Sequence, residues 1–180
     1  MAGNALLHAL QLLEVAHIGP GSRIADFGVG KSGHILFPAS RLVGERGKVY
    51  GVDLSRENVQ TLEGLRRQRL AHNIDLVWAD MIEDDLPIPE GSLDAVFIVN
   101  TLWTLRGRAK LVRSALRYLR PGGSLVLVDW HPEREHPVAP LSALCIHPDE
   151  MVTAAMVAGC DSCHAFTPSP WHWGLRFTSS

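Results

Sequence analysis

Five short runs rich in Val, Ile and Leu recur along the chain. They are "SRIADFG" (22–28), "GKVYGVDL" (47–54), "NIDLVWAD" (73–80), "LDAVFIVN" (93–100) and "SLVLVDW" (124–130). Stretches with helical spacing separate them except after the third, where the proline-rich turn "LPIPEGS" leads into the fourth, and the fifth is followed by an irregular connection. Runs that are apolar on both faces need cover on both sides, so they predict a parallel sheet with helices on either face. Between them, "HILFPASRLVG" (34–44) reads as a helix with Pro38 in its first turn. Ser55 caps a second helix that turns Val59, Leu62 and Leu65 inward, and Val112, Ala115, Leu116 and Leu119 mark a third before the stop "RPGG". The end of the chain breaks the alternation. "MVTAAMVAGC" is helical, and "CHAFTPSPWHWGLRF" reads as two strands around a turn, which pair antiparallel. The expected fold is α/β, a doubly wound sheet of seven strands, mostly parallel, with an antiparallel terminal hairpin.

One loop limits what such a sheet can hold. "ADFGVGKSGH" (25–34) closes the first strand with Gly28, Gly30 and Gly33 in G-x-G-x-x-G spacing, and its Gly30-Lys31-Ser32 also ends like an ATPase phosphate loop. That phosphate loop requires glycine five residues before Gly30, where Ala25 stands, so the ATPase reading fails. A dinucleotide site fits better. Strand, glycines and helix follow in order, and Asp53 stands twenty residues beyond Gly33 at the end of the second strand, placed for ribose hydroxyls. Every adenosine cofactor carries that ribose, so Asp53 does not choose among them. Asp26 does. Its carboxylate sits where a pyrophosphate would rest and repels it by a few kcal/mol at an effective dielectric of about 20. A ligand with an ammonium and a sulfonium is attracted instead. The competing role for Asp26 is structural, capping the loop through backbone N–H groups.

The motifs "RIADFGVGKSG", "VYGVDLS", "WADM", "LPIPEGSLDAVFIVNTLW" and "LRPGGSLVLVDW" together resemble the successive motifs of class I S-adenosylmethionine-dependent methyltransferases. The similarity runs from about residue 20 to 130 and is closest to the small-molecule branch that includes ubiquinone/menaquinone C-methyltransferase-like proteins. It implies a Rossmann-like sheet, S-adenosyl-L-methionine as cofactor and methyl transfer as activity. Position by position, it implies that Asp26, Gly28, Val29, Gly30 and Gly33 hold the methionine end. Asp53 takes the ribose hydroxyls, Leu54 lies against the adenine, Asp80 accepts from the adenine amino group with Met81 beside it, and Asn100 lies under the methionine moiety. One departure stands out. Lys31 and Ser32 both precede Gly33, one residue more than the family loop carries, and a solvated Lys31 is expected.

Ligands of open α/β sheets bind beyond the carboxyl ends of the strands. Asn100, Thr101 and Trp103 follow strand four, Asp129, Trp130 and His131 follow strand five, and the hairpin turn brings Trp171, His172 and Trp173 to the same edge. Their aromatic faces suit an apolar, aromatic or cationic small-molecule acceptor. If the acceptor must lose a proton, His131 or His34 is in position by sequence, although a histidine chosen by position alone is more often a bystander. Packing of Trp130 and Trp173 on the hairpin is the structural alternative. Residues 131–146 form the one long irregular connection and are expected to be an active-site loop.

Composition narrows the remaining classes. A chain of 180 residues suits one domain over 1–180, with an N-terminal helix in 1–20 whose stripe is Leu6, Leu10 and Leu13. The formal charge of −2 gives no general reason to expect nucleic acid. Arg106, Arg108, Lys110, Arg113, Arg117 and Arg120 read as a solvated helix face, with an RNA substrate as the alternative. Three cysteines make no complete disulfide framework, and a cytoplasmic location is expected, with no membrane span and no signal peptide. Cys160 and Cys163 have zinc-like spacing but straddle a helix end and a strand start, so no metal is expected. Two further alternatives stand beside methyl transfer: a nicotinamide-dependent oxidoreductase, and a cofactor-binding sensor or partner subunit without chemistry.

Overall fold

The five apolar runs become parallel strands because each connection returns the chain to the same end, with a helix in every gap except the third, where the helix-free segment 79–92 makes the return. A computed structural model describes residues 2–180. Its sheet contains β1 (Arg23–Phe27), β2 (Lys48–Asp53), β3 (Ile74–Trp78), β4 (Leu93–Val99), β5 (Leu119–Trp130), β6 (Cys160–Ser169) and β7 (His172–Ser179), in the order β3-β2-β1-β4-β5-β7-β6. β1 to β5 run parallel, while β7 pairs antiparallel with both β5 and β6. The expected terminal hairpin is therefore present, inserted so that its second strand lies next to β5. The order reverses between β1 and β4, which opens a crevice at their carboxyl ends.

Side chains alternate across the sheet into two cores. On one face, Phe97, Val99, Val126 and Val128 pack beneath α1 (Ala9–Val15), α2 (Leu36–Val43) and α3 (Arg56–Gln68). On the other, Val96, Ile98, Leu125 and Leu127 pack beneath α4 (Arg108–Tyr118) and α5 (Pro148–Val157). Ser55 caps α3 as expected, its hydroxyl accepting the Asn58 N–H at 3.3 Å.

Two boundaries differ from the sequence reading. The N-terminal stretch is not one helix: a 3₁₀ turn over Ala2–Leu6 precedes α1, and His8 between them has extended backbone. That break shifts the phase of the stripe, so Leu7, Leu12, Leu13 and Ala16 face the core while Leu10 is 53 % exposed. β5 also starts earlier than its apolar run. Leu119 pairs with Leu93 before the register jumps to Ser124 opposite Ala95, which makes room for the Pro-Gly-Gly turn.

Candidate active site

The glycine loop leaves β1 and turns back over its end because Gly28 has φ +79° and Gly30 φ +62°, left-handed conformations that side chains disfavour. At Gly28 space is also short. A Cβ there would stand 2.4 Å from Thr101 Oγ1, so the loop and the end of β4 meet backbone against side chain. Gly33 seats the loop on α2 and α3, where a Cβ would meet Phe37 at 2.9 Å and Leu62 at 3.0 Å. Val29 turns its side chain into the core, leaving only its backbone at the crevice. Lys31 is exposed, as expected.

Asp53 organises this loop. Its Oδ2 accepts the Gly30 N–H at 2.8 Å, and its Oδ1 accepts from Ser55 N–H at 2.8 Å and Asn58 Nδ2 at 3.2 Å. Beyond it, Leu54 is 59 % exposed and its carbonyl accepts from Trp78 Nε1 at 3.0 Å, which makes an apolar ledge. Asp80 spends one oxygen on the Ile82 N–H, and Met81 is buried in the core behind it.

Asp26 is buried at the end of β1 with no cation beside it among the described residues. Burial first, and then the neighbouring Asp53 charge, push its pKa up to about 7 against the opposing Leu36 amide. Asn100, at the end of β4, is 1 % exposed and adopts φ +54°. Its Nδ2 donates to Asn4 Oδ1 at 2.8 Å, while its Oδ1 is buried without a partner. Asn4 thus brings the N-terminal turn over the crevice, a contact across 96 residues that no local pattern announces. His34 lies under the same turn. Burial lowers its pKa, and its Nε2 has no partner.

At the neighbouring strand ends the aromatic residues divide into two groups. Trp103 donates from Nε1 to the Asn100 carbonyl at 3.1 Å, and its backbone N–H donates to Asp129 Oδ2 at 3.2 Å. Trp130 is 3 % exposed and stacks on His172, ring centres 4.2 Å apart, with His136 at 6.2 Å and Trp171 meeting His136 at 4.7 Å. Among the described residues no aromatic pair joins Trp103 to this second group. Trp173 points to the other face, buried, with Nε1 donating to the Ile146 carbonyl. His131 sits between the strand end and the turn: its N–H donates to the Trp171 carbonyl at 2.8 Å and its Nδ1 accepts from Glu133 N–H.

The residues matched by the family model described as "Methyltransferase domain" are 25–127, from the glycine loop to the middle of β5. The chain belongs to this methyltransferase family. A ubiquinone/menaquinone biosynthesis C-methyltransferase of Pseudomonas entomophila is 31 % identical over 66 % of this chain and 45 % of its own. The chain thus spans less than half the length of the curated relatives it matches. A methyltransferase structure from Aquifex aeolicus superposes with a TM-score of 0.89 at 21 % identity, covering 99 % of this chain and 93 % of that one. The geranyl diphosphate C-methyltransferase of Streptomyces coelicolor, crystallised with S-adenosyl-L-homocysteine, gives 0.71 at 17 % identity over 96 % and 78 %.

The cofactor of such methyltransferases is S-adenosylmethionine, and the residues present fit it. A buried carboxyl at Asp26 without a counter-ion among the described residues suits a positively charged group, and the orphaned buried Asn100 Oδ1 calls for a hydrogen-bond donor, which an ammonium supplies. The Gly28–Thr101 approach gives a cradle that a Cβ would fill. Among the described residues no group of three or more His, Cys, Asp and Glu could hold a metal ion, and Cys160 and Cys163 both lie on β6. No described helix is long and apolar enough to cross a membrane. Asn4, His136 and Ser169 are the site neighbours that sequence reading missed. Each is a single polar residue brought in by a turn or loop, with no motif around it.

Proposed function

We propose that this chain is an S-adenosylmethionine-dependent methyltransferase of small molecules, acting as one domain over residues 1–180 with 131–146 as its active-site loop. The observation that carries the proposal is Asp26: a buried carboxyl group at the end of β1 with no cation beside it among the described residues, in a crevice where its ionised form would repel a pyrophosphate. In this reading Asp26 and Asn100 Oδ1 face the cationic methionine end, and the backbone of Gly28, Val29, Gly30 and Gly33 passes beneath it. Asp53 has lone pairs left for the ribose hydroxyls, Leu54 forms the adenine ledge, Asp80 receives the adenine amino group, and Met81 backs it from the core. When bound, the cofactor supplies a methyl group on an electron-poor sulfur. Trp103, Trp130, Trp171, His131 and His172 hold the acceptor and exclude water. Holding acceptor and methyl in line supplies on the order of 7–11 kcal/mol in favourable cases, so no strong base is required.

A small acceptor is preferred to RNA because four of the six residues of the basic face are paired with carboxylates. Arg117 pairs with Asp85 and Glu90, Arg120 with Asp94, Lys110 with Glu83 and Arg108 with Glu150. Matched charges leave little net field for phosphates. The named C-methyltransferase relatives also favour a small molecule. We place the protein in the cytoplasm, where its three free cysteines remain reduced.

Thermal shift with S-adenosylmethionine, S-adenosylhomocysteine, NAD, NADP and ATP side by side tests the proposal. At about 100 times its dissociation constant a ligand stabilises by roughly 2.7 kcal/mol. Stabilisation by NAD and not by the methionine cofactors overturns it.

A further inference from the structure

The two edges of the sheet are finished differently. β3 is short and carries charge: Asp75 pairs with Lys48 at 2.7 Å, and the Arg56 guanidinium lies over the Trp78 ring at 5.4 Å. β6 is ten residues long and pairs only with β7 among the described residues, so its outer main-chain N–H and C=O groups face away from the sheet. Its register breaks fall near the two ends, which leaves 162–166 a regular ladder. Residues 161–165 are exposed without interruption. Natural edges are blunted by lysine, proline or a bulge, and this stretch, "DSCHA", has only one Asp at its start. α5 beside it is also unusual. α3 and α4 turn charged residues to solvent, whereas α5 has no charged residue from position 151 to its end at Val157. Met151 and Ala155 are buried in the core, yet Met156 is 45 % and Val157 81 % exposed. A helix that is apolar all round is normally covered on more than one side. Both exposed side chains stand within four residues of Cys160, where β6 begins, so the bare helix end and the bare strand edge adjoin.

We propose that this surface is the interface of a homodimer, in which β6 pairs antiparallel with β6 of a second copy about a two-fold axis at Cys163 and the two sheets become one. A second copy fits for two reasons. An edge strand turned by a two-fold axis sets an acceptor opposite each of its own outward donors, so it is complementary to itself. The charges are compatible as well. Between Glu150 and Arg176 the chain holds two histidines and a single carboxylate, Asp161. With Cys163 on the axis, Asp161 stands opposite Ala165 of the second copy and Ser162 opposite His164, so no like charges face each other. A foreign partner recognised by charge finds almost nothing to hold. The hairpin turn that carries Trp171 lies outside the paired span, and the pairing is independent of the cofactor.

Sedimentation velocity of the reduced full chain is expected to show a dimer with a dissociation constant of about 10 µM or tighter. Cys163→Asp sets two carboxylates opposite each other at the axis and is expected to leave a monomer. Met156→Lys charges the adjoining helix end and weakens association by about tenfold or more, whereas Leu70→Lys, at a residue 72 % exposed just before β3, does not change it. Directly opposed residues of an antiparallel pair lie about 4.5–5.5 Å apart at Cα, inside the range of about 4.4–6.8 Å that a disulfide spans. Copper–phenanthroline oxidation is therefore expected to link two copies through Cys163, a free and exposed thiol, and Cys163→Ser to lose the link while still sedimenting as a dimer. Hydrogen exchange on the unmodified protein gives a second measurement that needs no variant to fold. Amide protection that rises with protein concentration is expected in β6. A monomer at about 100 µM overturns the proposal, and so does a dimer that Cys163→Asp leaves intact or whose newly protected amides lie outside β6.

Discussion

Asp53 Oδ2 accepts the Gly30 N–H at 2.8 Å, so the carboxylate that ends β2 holds the glycine loop that follows β1. The same side chain therefore shapes the loop and, in the proposed reading, faces the ribose. Lys31, one residue beyond Gly30, is exposed and makes no ion pair among the described residues. Asp53→Ala is expected to weaken S-adenosylhomocysteine binding by about 1.5–3 kcal/mol, whereas Lys31→Ala changes it by well under about 1 kcal/mol. Titration calorimetry on the two variants checks this. A larger loss at Lys31 would mean that the loop holds its ligand by charge and not by backbone.

Gly28→Ala places a methyl 2.4 Å from Thr101 Oγ1 at a residue with φ +79°. Overpacking costs about 1–3 kcal/mol and the left-handed backbone about 1–2 kcal/mol more. Thr101→Ala removes the two nearest side-chain atoms and leaves only Cβ at 3.1 Å. The double variant should therefore recover the steric part of the loss in urea unfolding but not the backbone part. Strict additivity of the two substitutions would show that the loop moves away from β4 instead of pressing on it.

These contacts show how far the sequence reached. The strands, their order of appearance, the terminal hairpin and the Ser55 cap were legible because apolar runs and capping residues act over a few positions. The glycine loop and its tie to Asp53 were legible because a sharp strand-to-helix turn needs fixed spacing. The N-terminal helix was read in the wrong phase, since His8 interrupts it and the burial of Leu7 depends on β1 and α2, not on its own neighbours. Asn4 and His136 carry no local signature at all. Their partners, Asn100 and Trp171, are distant in sequence and meet them only once the sheet has formed.

Asp26 is expected to make cofactor binding depend on pH. Its folded-state pKa is about 7 against an ordinary value of 3.8, so between those values the folded protein holds a proton that the unfolded chain has released. The slope of unfolding free energy with pH is then negative: the stability this proton confers is full below 3.8 and lost as pH rises to about 7. Asp129, also raised to about 7, contributes with the same sign. A positively charged ligand favours ionised Asp26, so binding expels the proton and affinity falls as pH drops below about 7. Calorimetry at pH 6 in buffers of different ionisation enthalpy should detect proton release on S-adenosylmethionine binding, and Asp26→Asn should abolish it. Proton uptake in place of release would exclude a cation beside Asp26.

The acceptor side turns on Asp129. Fully buried, its carboxylate accepts the Trp130 N–H at 2.8 Å and the Trp103 N–H at 3.2 Å, and the Leu102 amide also lowers its pKa against the burial that raises it. One carboxylate thus fixes both the turn that presents Trp103 and the end of β5. Asp129→Asn retains a single acceptor oxygen, so a backbone donor loses its partner and stability drops by about 1–3 kcal/mol. The cofactor contacts proposed for Asp26, Gly30 and Asp53 are untouched by the change. S-adenosylhomocysteine affinity is therefore expected to stay within about 0.5 kcal/mol, while kcat/KM for the acceptor falls by about tenfold or more. Trp103→Ala should reproduce the kinetic effect with a smaller loss of stability, because it removes the ring while leaving the backbone hydrogen bond to Asp129 in place. If Asp129→Asn weakens cofactor binding as strongly as turnover, the turn after β4 belongs to the cofactor cleft and not to the acceptor mouth.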